Sequence, residues 1–335
     1  MSDEAPTIRD VSRRAQVSVS TVSRVLNGIV PVADQTRQRV LQAVQELGYR
    51  PNAFARSLVT NRSNAIGVVV NDMTSPFYSG MLRGVEQELY AAGYYMLPQS
   101  GHAEIETERR ALDFLQQRRV DALVIHVESI ADEELLQLMA GDIPVILVAR
   151  QIAEANGKCV HSDNELGGRL ATQYLIDQGH GRIAHLTGPL HFPDSRARLQ
   201  GYRQALEQSG LGFDEALVIE SDWLEEGGYS SCLRLLKRCP DITAIFAGND
   251  QMAAGVLQAL RELGKSIPED ISVMGYDDVL FARYLYPALT TVRQPLQAMG
   301  ASATRLVLAA LNSEEVEVQQ KFEPELIVRQ SVSNR

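Results

Sequence analysis

The sequence predicts an all-α N-terminal domain followed by an α/β body with two doubly wound parallel-sheet lobes. Apolar residues recur at helical spacing through roughly the first 50 residues. Short apolar runs then alternate with amphipathic helical patterns, as they do in parallel sheets covered by helices on both faces. The alternation starts again after residue 163, so two lobes are expected rather than one long sheet.

The segment VSVSTVSRVLNG, residues 17–28, predicts a short helix whose two sides differ. Val22 and Val25 recur at helical spacing on one side and would face a small core. Ser18 can cap the start of this helix, and Gly28 can end it in a left-handed conformation. The opposite side could meet a partner and carries Val19, Ser20, Ser23, Arg24 and Asn27.

Two further helices would complete a three-helix domain. Thr7 can cap the first helix, and the break at residues 15–17 has about the length of a helix-turn-helix turn. The third helix is expected to end at Gly48. Its core-facing residues would be Val40, Leu41, Val44 and Leu47.

These helices alone leave two interpretations open: a DNA-reading helix-turn-helix, or a small helical subdomain whose serines and arginine are merely solvated. The next segment, YRPNAFARSL at residues 49–58, favours the first. With the preceding helices it closely resembles the headpiece and hinge of the lactose and galactose repressor family. Other family signatures follow in order: Ser75-Pro76-Phe77, Gly179-His180, Arg198 before Gly201-Tyr202, Asn249-Asp250 and Gly275-Tyr276-Asp277-Asp278.

Two stretches are most similar to the galactose-repressor branch: Val19-Ser20 with Arg24, and the run from Asp277-Asp278-Val279 to Arg283-Tyr284. The resemblance implies a headpiece at 1–49, a hinge helix and linker at 50–64, and an effector-binding and dimerisation domain at 65–335. That last domain would have the fold of the periplasmic binding proteins. The resemblance also implies that the chain crosses between the lobes three times. One lobe would then contain residues 65–162 and 292–321, and the other residues 163–291 and 322–335.

Strands and helices of the body can be placed from the residues themselves. In the first lobe, apolar runs at 65–70, 94–99, 121–127 and 143–149 alternate with helical patterns near 77–92, 104–118 and 132–140. In the second, a helix at 164–179 precedes runs at 182–188, 217–221, 242–248 and 271–277.

The charge is distributed unevenly along the chain. Residues 1–64 contain nine arginines and five acids, a local charge of +4, whereas the whole chain carries −10. An acidic body with a basic head suits a protein that touches DNA through one end, because phosphate contacts need local positive charge. This asymmetry supports the DNA-binding interpretation.

Several classes of protein are disfavoured by what the sequence lacks. Three cysteines, Cys159, Cys232 and Cys239, form no CxxC pair, and the histidines have no ligand spacing, so no metal and no cofactor are expected. The N-terminus does not resemble a signal peptide, and no apolar run approaches the roughly 20 residues of a membrane span. We therefore expect a cytoplasmic protein.

Enzyme signatures are also missing. No GxGxxG, Walker or GxSxG motif appears. Asp277-Asp278 could be a catalytic pair or a metal site, but polar residues at strand ends are also typical of a binding cleft, and no matching set of acids accompanies them. The sequence therefore predicts that the protein is not an enzyme.

An effector site is expected where parallel strands end. Carboxylate, amide and guanidinium groups around an aromatic plate can hold a sugar through its hydroxyls and its C–H face. Alternatives remain open for two of the residues: Arg150, after Ala149, could pair with an acid across the cleft, and Trp223 could simply close a core. The predicted site contains Asn71, Asp72, Phe77, His126, Arg150, Arg198, Trp223, Asn249 and Asp277.

By resemblance, the protein is a homodimeric repressor of a sugar-utilisation operon that binds a near-palindromic double-stranded operator. Its effector would be a small sugar, galactose or a related hexose or glycoside. The alternative is a sugar-binding protein without a regulatory role. No counterpart of the tetramer-forming leucine-repeat helix follows Leu326, so a dimer is expected. The predicted DNA contacts are Thr7, Ser18, Val19, Ser20, Thr21, Ser23, Arg24, Asn27, Tyr49, Asn52, Ala55, Arg56 and Leu58, with Leu58 as a minor-groove wedge.

Overall fold

The structure, a computed structural model, describes residues 6–26, 32–49, 62–155 and 157–335. The expected hinge helix lies outside these residues. So do the predicted DNA contacts Asn27, Asn52, Ala55, Arg56 and Leu58.

The N-terminal domain contains three helices, α1 (Ile8–Ala15), α2 (Val19–Leu26) and α3 (Asp34–Leu47). Val11, Val22 and Val40 are fully buried where the helices meet. Ala43 is buried on α3, whereas Leu41 is 49% exposed, so the prediction that Leu41 enters the core was wrong. Neighbouring helical residues point about 100° apart, and Val40 already occupies the inward direction.

Polar side chains set the ends of α1 and α2. The Asp10 carboxylate accepts hydrogen bonds from the Thr7 hydroxyl (2.6 Å) and backbone amide (2.8 Å), and these lower the pKa of Asp10. Gln16 has φ of 54°, which ends α1 in the left-handed conformation. The Ser18 hydroxyl accepts from the Thr21 amide at 3.1 Å, so the predicted cap of α2 is present.

The first sheet of the body has the strand order β11-β5-β4-β3-β1-β2. Its strands are β1 (Ala65–Val70), β2 (Tyr95–Ser100), β3 (Ala122–Ile125), β4 (Val145–Val148), β5 (Cys159–Ser162) and β11 (Lys321–Phe322). The helices around it are α4 (Pro76–Ala91), α5 (Ile105–Gln117), α6 (Asp132–Met139) and α11 (Leu296–Asn312).

The second sheet has the order β12-β10-β9-β8-β6-β7. Its strands are β6 (Ile183–Thr187), β7 (Val218–Glu220), β8 (Ala244–Ala247), β9 (Ser272–Asp277), β10 (Thr290–Arg293) and β12 (Glu325–Ile327). The surrounding helices are α7 (Asn164–Asp177), α8 (Pro193–Gln208), α9 (Glu225–Arg238) and α10 (Asp250–Glu262).

Seven of the eight predicted apolar runs contain a strand, and the run at 94–99 overlaps β2, which ends one residue later at Ser100. The sequence did not predict β5, β10, β11 and β12, which are short and carry polar residues. β12 pairs with β10 in the antiparallel direction, so the second sheet is not entirely parallel. Within the described ranges, no helix has the length and apolar character required to cross a membrane.

The chain passes between the two sheets more than once. Val292 and Arg293 pair with β9 in the second sheet, and Phe322 pairs with Ser162 in the first. These crossings therefore fall slightly later than the sequence boundaries at 292 and 322. Between them, α11 packs closely on α4: a Cβ atom at Gly84 would lie 2.0 Å from the carbonyl oxygen of Gln297. This contact fixes α11 to the first lobe.

Candidate functional site

The outward side of α2 is polar, as the sequence predicted. Val19 is 40% exposed, and Ser20 and Arg24 are also exposed, while Val22 and Val25 are buried. The Ser18 hydroxyl lies 2.8 Å from both the Ser20 and the Thr21 hydroxyls. Arg24 takes part in none of the ion pairs found between described residues. This side of the helix is therefore available to a partner with negative charge.

Three other residues predicted to contact DNA have different surroundings. Thr7 is exposed, although its hydroxyl is engaged by Asp10. Ser23 is half-buried on α2. Tyr49 packs against the headpiece core through its partly buried side chain. Tyr49 therefore has a role in packing, besides the DNA contact predicted for it.

The body contains a cavity of about 290 Å³ where strands of both sheets end. Asn71 follows β1, His126 follows β3, Asn249 lies two residues beyond β8, and Asp277 ends β9. This is the edge at which open parallel sheets collect ligands. Eight of the nine predicted effector residues line it: Asn71, Asp72, Phe77, His126, Arg198, Trp223, Asn249 and Asp277.

Arg150 does not line the cavity, contrary to the sequence expectation. Its guanidinium donates to the carbonyl oxygens of Val127 (2.7 Å) and Ile130 (2.9 Å) and to Asp132 (2.6 Å). These acceptors belong to the loop after β3 and to the start of α6. Arg150 therefore holds this loop in place and does not reach across the cleft.

Arg198 is buried at the centre of the second-lobe side. Its Nε donates to Asn164 Oδ1 at 2.8 Å, and its Nη1 donates to the carbonyl oxygen of Gly248 at 2.5 Å. Its Nη2 lies 3.7 Å from Asp277 Oδ1. The guanidinium also stacks 3.8 Å from the Tyr276 ring centroid and 5.1 Å from that of Trp223. The cost of burying this cation is therefore offset by two hydrogen bonds, a nearby carboxylate and two aromatic rings.

Two carboxyl groups near Arg198 have perturbed acidity. Burial raises the pKa of Asp277 to about 6, against the opposing effect of Arg198 and a 2.8 Å hydrogen bond from Gln294. Burial also raises the pKa of Asp194 to about 6, again opposed by Arg198 and reinforced by Glu128. Near neutral pH both groups therefore respond to small changes in their surroundings.

The Trp223 plate is held by its neighbours. Asn249 donates from Nδ2 to the Trp223 carbonyl oxygen at 2.9 Å, and its Oδ1 caps α10 by accepting from the Met252 amide at 2.8 Å. A Cβ atom at Gly188 would lie 2.0 Å from the indole ring, so only glycine allows this approach. Asn249 thus positions the aromatic plate as well as lining the cavity.

The first-lobe side contains an aromatic cluster and a histidine–carboxylate pair. The rings of Phe77 and Tyr78 lie 6.3 and 5.4 Å from that of His126, measured between centroids. His126 Nε2 lies 2.6 Å from Glu128 Oε1. Burial alone would lower the pKa of His126, but the Glu128 carboxylate, aided by Asp194 and Glu108, raises it.

Two buried polar atoms on this side have no hydrogen-bond partner among the described residues: His126 Nδ1 and Asn71 Oδ1. Buried polar atoms are nearly always paired, so atoms of this kind in a cavity wall indicate positions where a ligand or water is bound. They complement the positions held by Arg198 and Asp277 on the opposite wall.

Sequence reasoning missed several residues that line the cavity, including Ser75, Glu128, Asp194, Asp222 and Gln251. The Ser75 hydroxyl donates to Gln251 Oε1 at 3.1 Å and thereby joins the start of α4 in the first lobe to α10 in the second. Glu128 lies three residues after β3 and Asp194 seven after β6, which is no further from a strand end than the selected residues Trp223 and Arg198. A wider search of the loops after each strand would have included them.

Asp278 has a different role from its neighbour Asp277. Its carboxylate is paired with Arg293 (2.8 Å) and Arg329 (2.6 Å) and does not line the cavity. The two adjacent acids therefore do not form a catalytic pair. No cluster of potential metal ligands occurs in the part of the chain that the structure describes.

A helix-turn-helix domain and a two-lobed body with a ligand cavity, combined in one chain, are typical of ligand-responsive transcriptional regulators. Residues 7–52 match the family of bacterial regulatory proteins called the lacI family, and residues 172–332 match a periplasmic binding protein-like domain. The chain belongs to the lacI family. It is a DNA-binding transcriptional regulator and not an enzyme.

Individual relatives agree with this assignment. The HTH-type transcriptional regulator GalR of Escherichia coli (strain K12) is 39% identical over 328 residues, which cover 98% of this chain and 96% of the relative. The lac repressor dimer bound to operator and the anti-inducer ONPF has a TM-score of 0.87 at 28% identity, covering 98% of this chain and 100% of that one. A complex of the transcriptional regulator CelR with cellobiose has a TM-score of 0.72 at 35% identity, covering 97% and 99%. The family and the two-part fold predicted from the sequence are confirmed.

The raised pKa of Asp277 predicts a pH-dependent stability. The folded-state pKa of about 6 exceeds the usual 3.8, so this carboxyl contributes stability below pH 4 that is lost as pH rises through 6. Asp277→Asn lacks this titration, so the difference in stability between variant and wild type should shift in favour of the variant by about 1 to 3 kcal/mol as pH rises from 4 to 7, whatever constant cost comes from the weaker contact with Arg198. Urea unfolding at several pH values measures the difference. A constant difference would contradict the assignment, and Asp177→Asn, on an exposed residue, is the control.

Proposed function

We propose that this protein is a homodimeric repressor of a sugar-utilisation operon whose operator affinity is controlled by a small sugar bound in the cavity of the body. The predicted sugar is galactose or a related hexose or glycoside. Support comes from the cavity itself, where Phe77 and Trp223 can stack on the C–H face of a sugar ring while Asp277, Asn71 and His126 offer hydrogen bonds to its hydroxyls. The cellobiose complex of the CelR relative supports a saccharide.

The size of the cavity favours a small ligand. A volume of about 290 Å³ is just below the roughly 300–1,000 Å³ range of small-molecule sites. One sugar ring suits it better than a long oligosaccharide. A thermal-shift screen against monosaccharides and disaccharides would identify the ligand, because binding to the folded state raises Tm.

Control of DNA binding requires that the sugar bind one arrangement of the body better than another. Cavity residues come from both lobes, and the Ser75–Gln251 hydrogen bond spans them. A sugar that contacts both walls would therefore favour one degree of lobe closure. In a dimer such a change would alter the spacing of two headpieces on a near-palindromic operator. The operator-bound dimer of the lac repressor supports this arrangement.

On the DNA side, we propose that Val19, Ser20 and Arg24 read bases in the major groove. They lie on the exposed side of the second helix of a helix-turn-helix, which is the helix that enters this groove. We assign Leu58, in the hinge, to the minor groove at the operator centre. The phosphate contacts of both regions make affinity dependent on salt, so comparisons require a fixed ionic strength.

Replacement of Arg24 should relax specificity. Arg24→Ala should cost about 1 to 3 kcal/mol at one base pair of each half-site, because an arginine can donate two hydrogen bonds to guanine. Selection from a randomised operator library measures base preference. Arg13→Ala, on the exposed side of α1, removes an arginine charge without changing α2 and is the control. An unchanged preference with Arg24→Ala would refute the assignment.

Replacement of Asp277 should separate sugar binding from folding. Asp277→Asn should bind the sugar at least about tenfold more weakly, because a charge-assisted hydrogen bond contributes about 1.5 to 3 kcal/mol. The same variant should keep its operator affinity. Calorimetric titration of the sugar and fluorescence anisotropy of labelled operator measure the two quantities.

Arg150→Ala provides the control for this experiment, because Arg150 holds a loop and does not line the cavity. We expect its sugar affinity to stay closer to wild type than that of Asp277→Asn. If Asp277→Asn responds at wild-type sugar concentrations, the effector site lies elsewhere.

A further inference from the structure

The cavity is rich in acidic side chains from both lobes. Asp72 and Glu128 line it from the first lobe, and Asp194, Asp222 and Asp277 line it from the second. The cationic or potentially cationic side chains in its wall are Arg198, His102 and His126. The wall therefore carries more negative than positive charge near neutral pH.

Arg198 is partly committed to its neighbours. Nε donates to Asn164 and Nη1 to the carbonyl oxygen of Gly248, while Nη2 lies 3.7 Å from the Asp277 carboxylate. A phosphate or carboxylate that approached Nη2 would also approach the negative charge of Asp277, which opposes its binding. His126 is similarly occupied at Nε2 by Glu128.

The carboxylates of the cavity wall differ in the hydrogen bonds that they accept. Asp72 accepts from the Thr74 amide (2.8 Å) and hydroxyl (2.7 Å), and Asp222 accepts from the Leu224 amide at 2.9 Å. Glu128 lies 2.6 Å from His126 Nε2, and Asp194 has a hydrogen bond from Asn164. Both carboxyls line the same cavity, one from each lobe, and the charge of Glu128 contributes to the raised pKa of Asp194. An anionic ligand between them would meet both negative charges, whereas a hydroxyl can donate to either carboxyl.

Hydrogen-bond chemistry points the same way independently of charge. The buried Asn71 Oδ1 has no partner among the described residues. An amide oxygen can only accept hydrogen bonds, so a ligand hydroxyl can satisfy it, whereas a carboxylate or phosphate oxygen without a proton cannot. His126 Nδ1 also lacks a partner among these residues, but the Glu128 carboxylate raises the pKa of His126, and Nδ1 is a donor whenever the ring is protonated.

The first turns of α4 and α8 lie beside the cavity and could in principle attract an anion. Asp194, however, is the second residue of α8 and places a carboxyl group there. At the start of α10, Asn249 Oδ1 already accepts from the Met252 amide. The N-terminal ends of α8 and α10 are therefore poor candidates for an anion site.

We propose that the cavity selects against anionic saccharides and that Glu128 and Asp194 determine this selectivity. The effector is then an uncharged sugar that meets these carboxyls with hydroxyl donors, whereas uronates and sugar phosphates are rejected. The proposal rests on the proposed function, because it assumes that the cavity binds a sugar. It adds the rejection of anionic sugars and assigns this rejection to two residues that the sequence did not identify.

The test compares ligands that differ in charge and little else. Glucose, galactose and mannose are titrated calorimetrically into the full-length protein at pH 8, each beside its hexuronate and the corresponding hexuronamide. For the hexose that binds, the amide should bind within about tenfold of the parent sugar. The uronate should bind at least a hundredfold more weakly than the amide.

Variants assign the effect to residues. Asp194→Asn and Glu128→Gln should each reduce the uronate-to-amide ratio of Kd values by tenfold or more. Glu207→Gln, also on α8 but exposed and paired with Arg203, should leave it unchanged. The ratio distinguishes selectivity from a structural role, because a variant that merely damages the site weakens both ligands alike.

Several results would overturn the proposal. Equal affinity for the uronate and the amide would show that the cavity does not discriminate by charge. If the hexose binds but neither the uronate nor the amide does, the cavity excludes these ligands by size. If the uronate-to-amide ratio of Kd values is unchanged in both Asp194→Asn and Glu128→Gln, these two residues do not determine the selectivity. If neither these hexoses nor any other sugar in the thermal-shift screen binds, the proposed function fails and this proposal fails with it.

Discussion

The buried guanidinium of Arg198 is the interaction on which the cleft depends. It joins the start of α7, the end of β8 and the end of β9 through Asn164, Gly248 and Asp277. An uncompensated cation in this position would be strongly destabilising, and hydrogen bonds, an acid and two aromatic rings compensate it. The second-lobe wall can therefore keep its shape without a ligand. Such preorganisation reduces the ordering cost of binding.

The first-lobe wall is held by a different set of contacts. The buried Glu108 carboxylate accepts from the backbone amides of Glu128, Ser129 and Ile130, and Arg150 binds carbonyl oxygens of the same loop. The loop, held by these hydrogen bonds, places Glu128 against His126. Two walls held by separate sets of contacts, and joined by the Ser75–Gln251 hydrogen bond, suit a body whose lobes respond to a ligand.

Sequence reasoning predicted the fold well where a physical pattern was strong. Buried parallel strands such as β1, β8 and β9 are continuous apolar runs and were found. β10 (TTVR) and β11 (KF) are stabilised by pairing with strands distant in sequence, so no local pattern indicates them. Leu41 was misplaced because an apolar residue beside the core stripe cannot be distinguished from one within it.

The candidate site was predicted through the rule that ligands gather at strand ends, and this rule selected Asn71, His126 and Asp277 correctly as cavity residues. It failed for Arg150, because position after a strand does not determine where a long flexible side chain is directed. It missed Glu128 and Asp194, whose placement depends on how the loop after β3 and the start of α8 fold back. Such loop geometry follows from tertiary contacts and not from local sequence.

We propose that a sugar in the cavity and an operator at the headpiece influence each other through the body. Thermodynamic linkage requires the effect to be reciprocal. The most direct test measures Kd of the sugar with and without saturating operator, and Kd of the operator with and without saturating sugar, at one ionic strength. The account predicts that both ratios depart from one by the same factor. Sugar binding of equal affinity in the presence and absence of operator would contradict it.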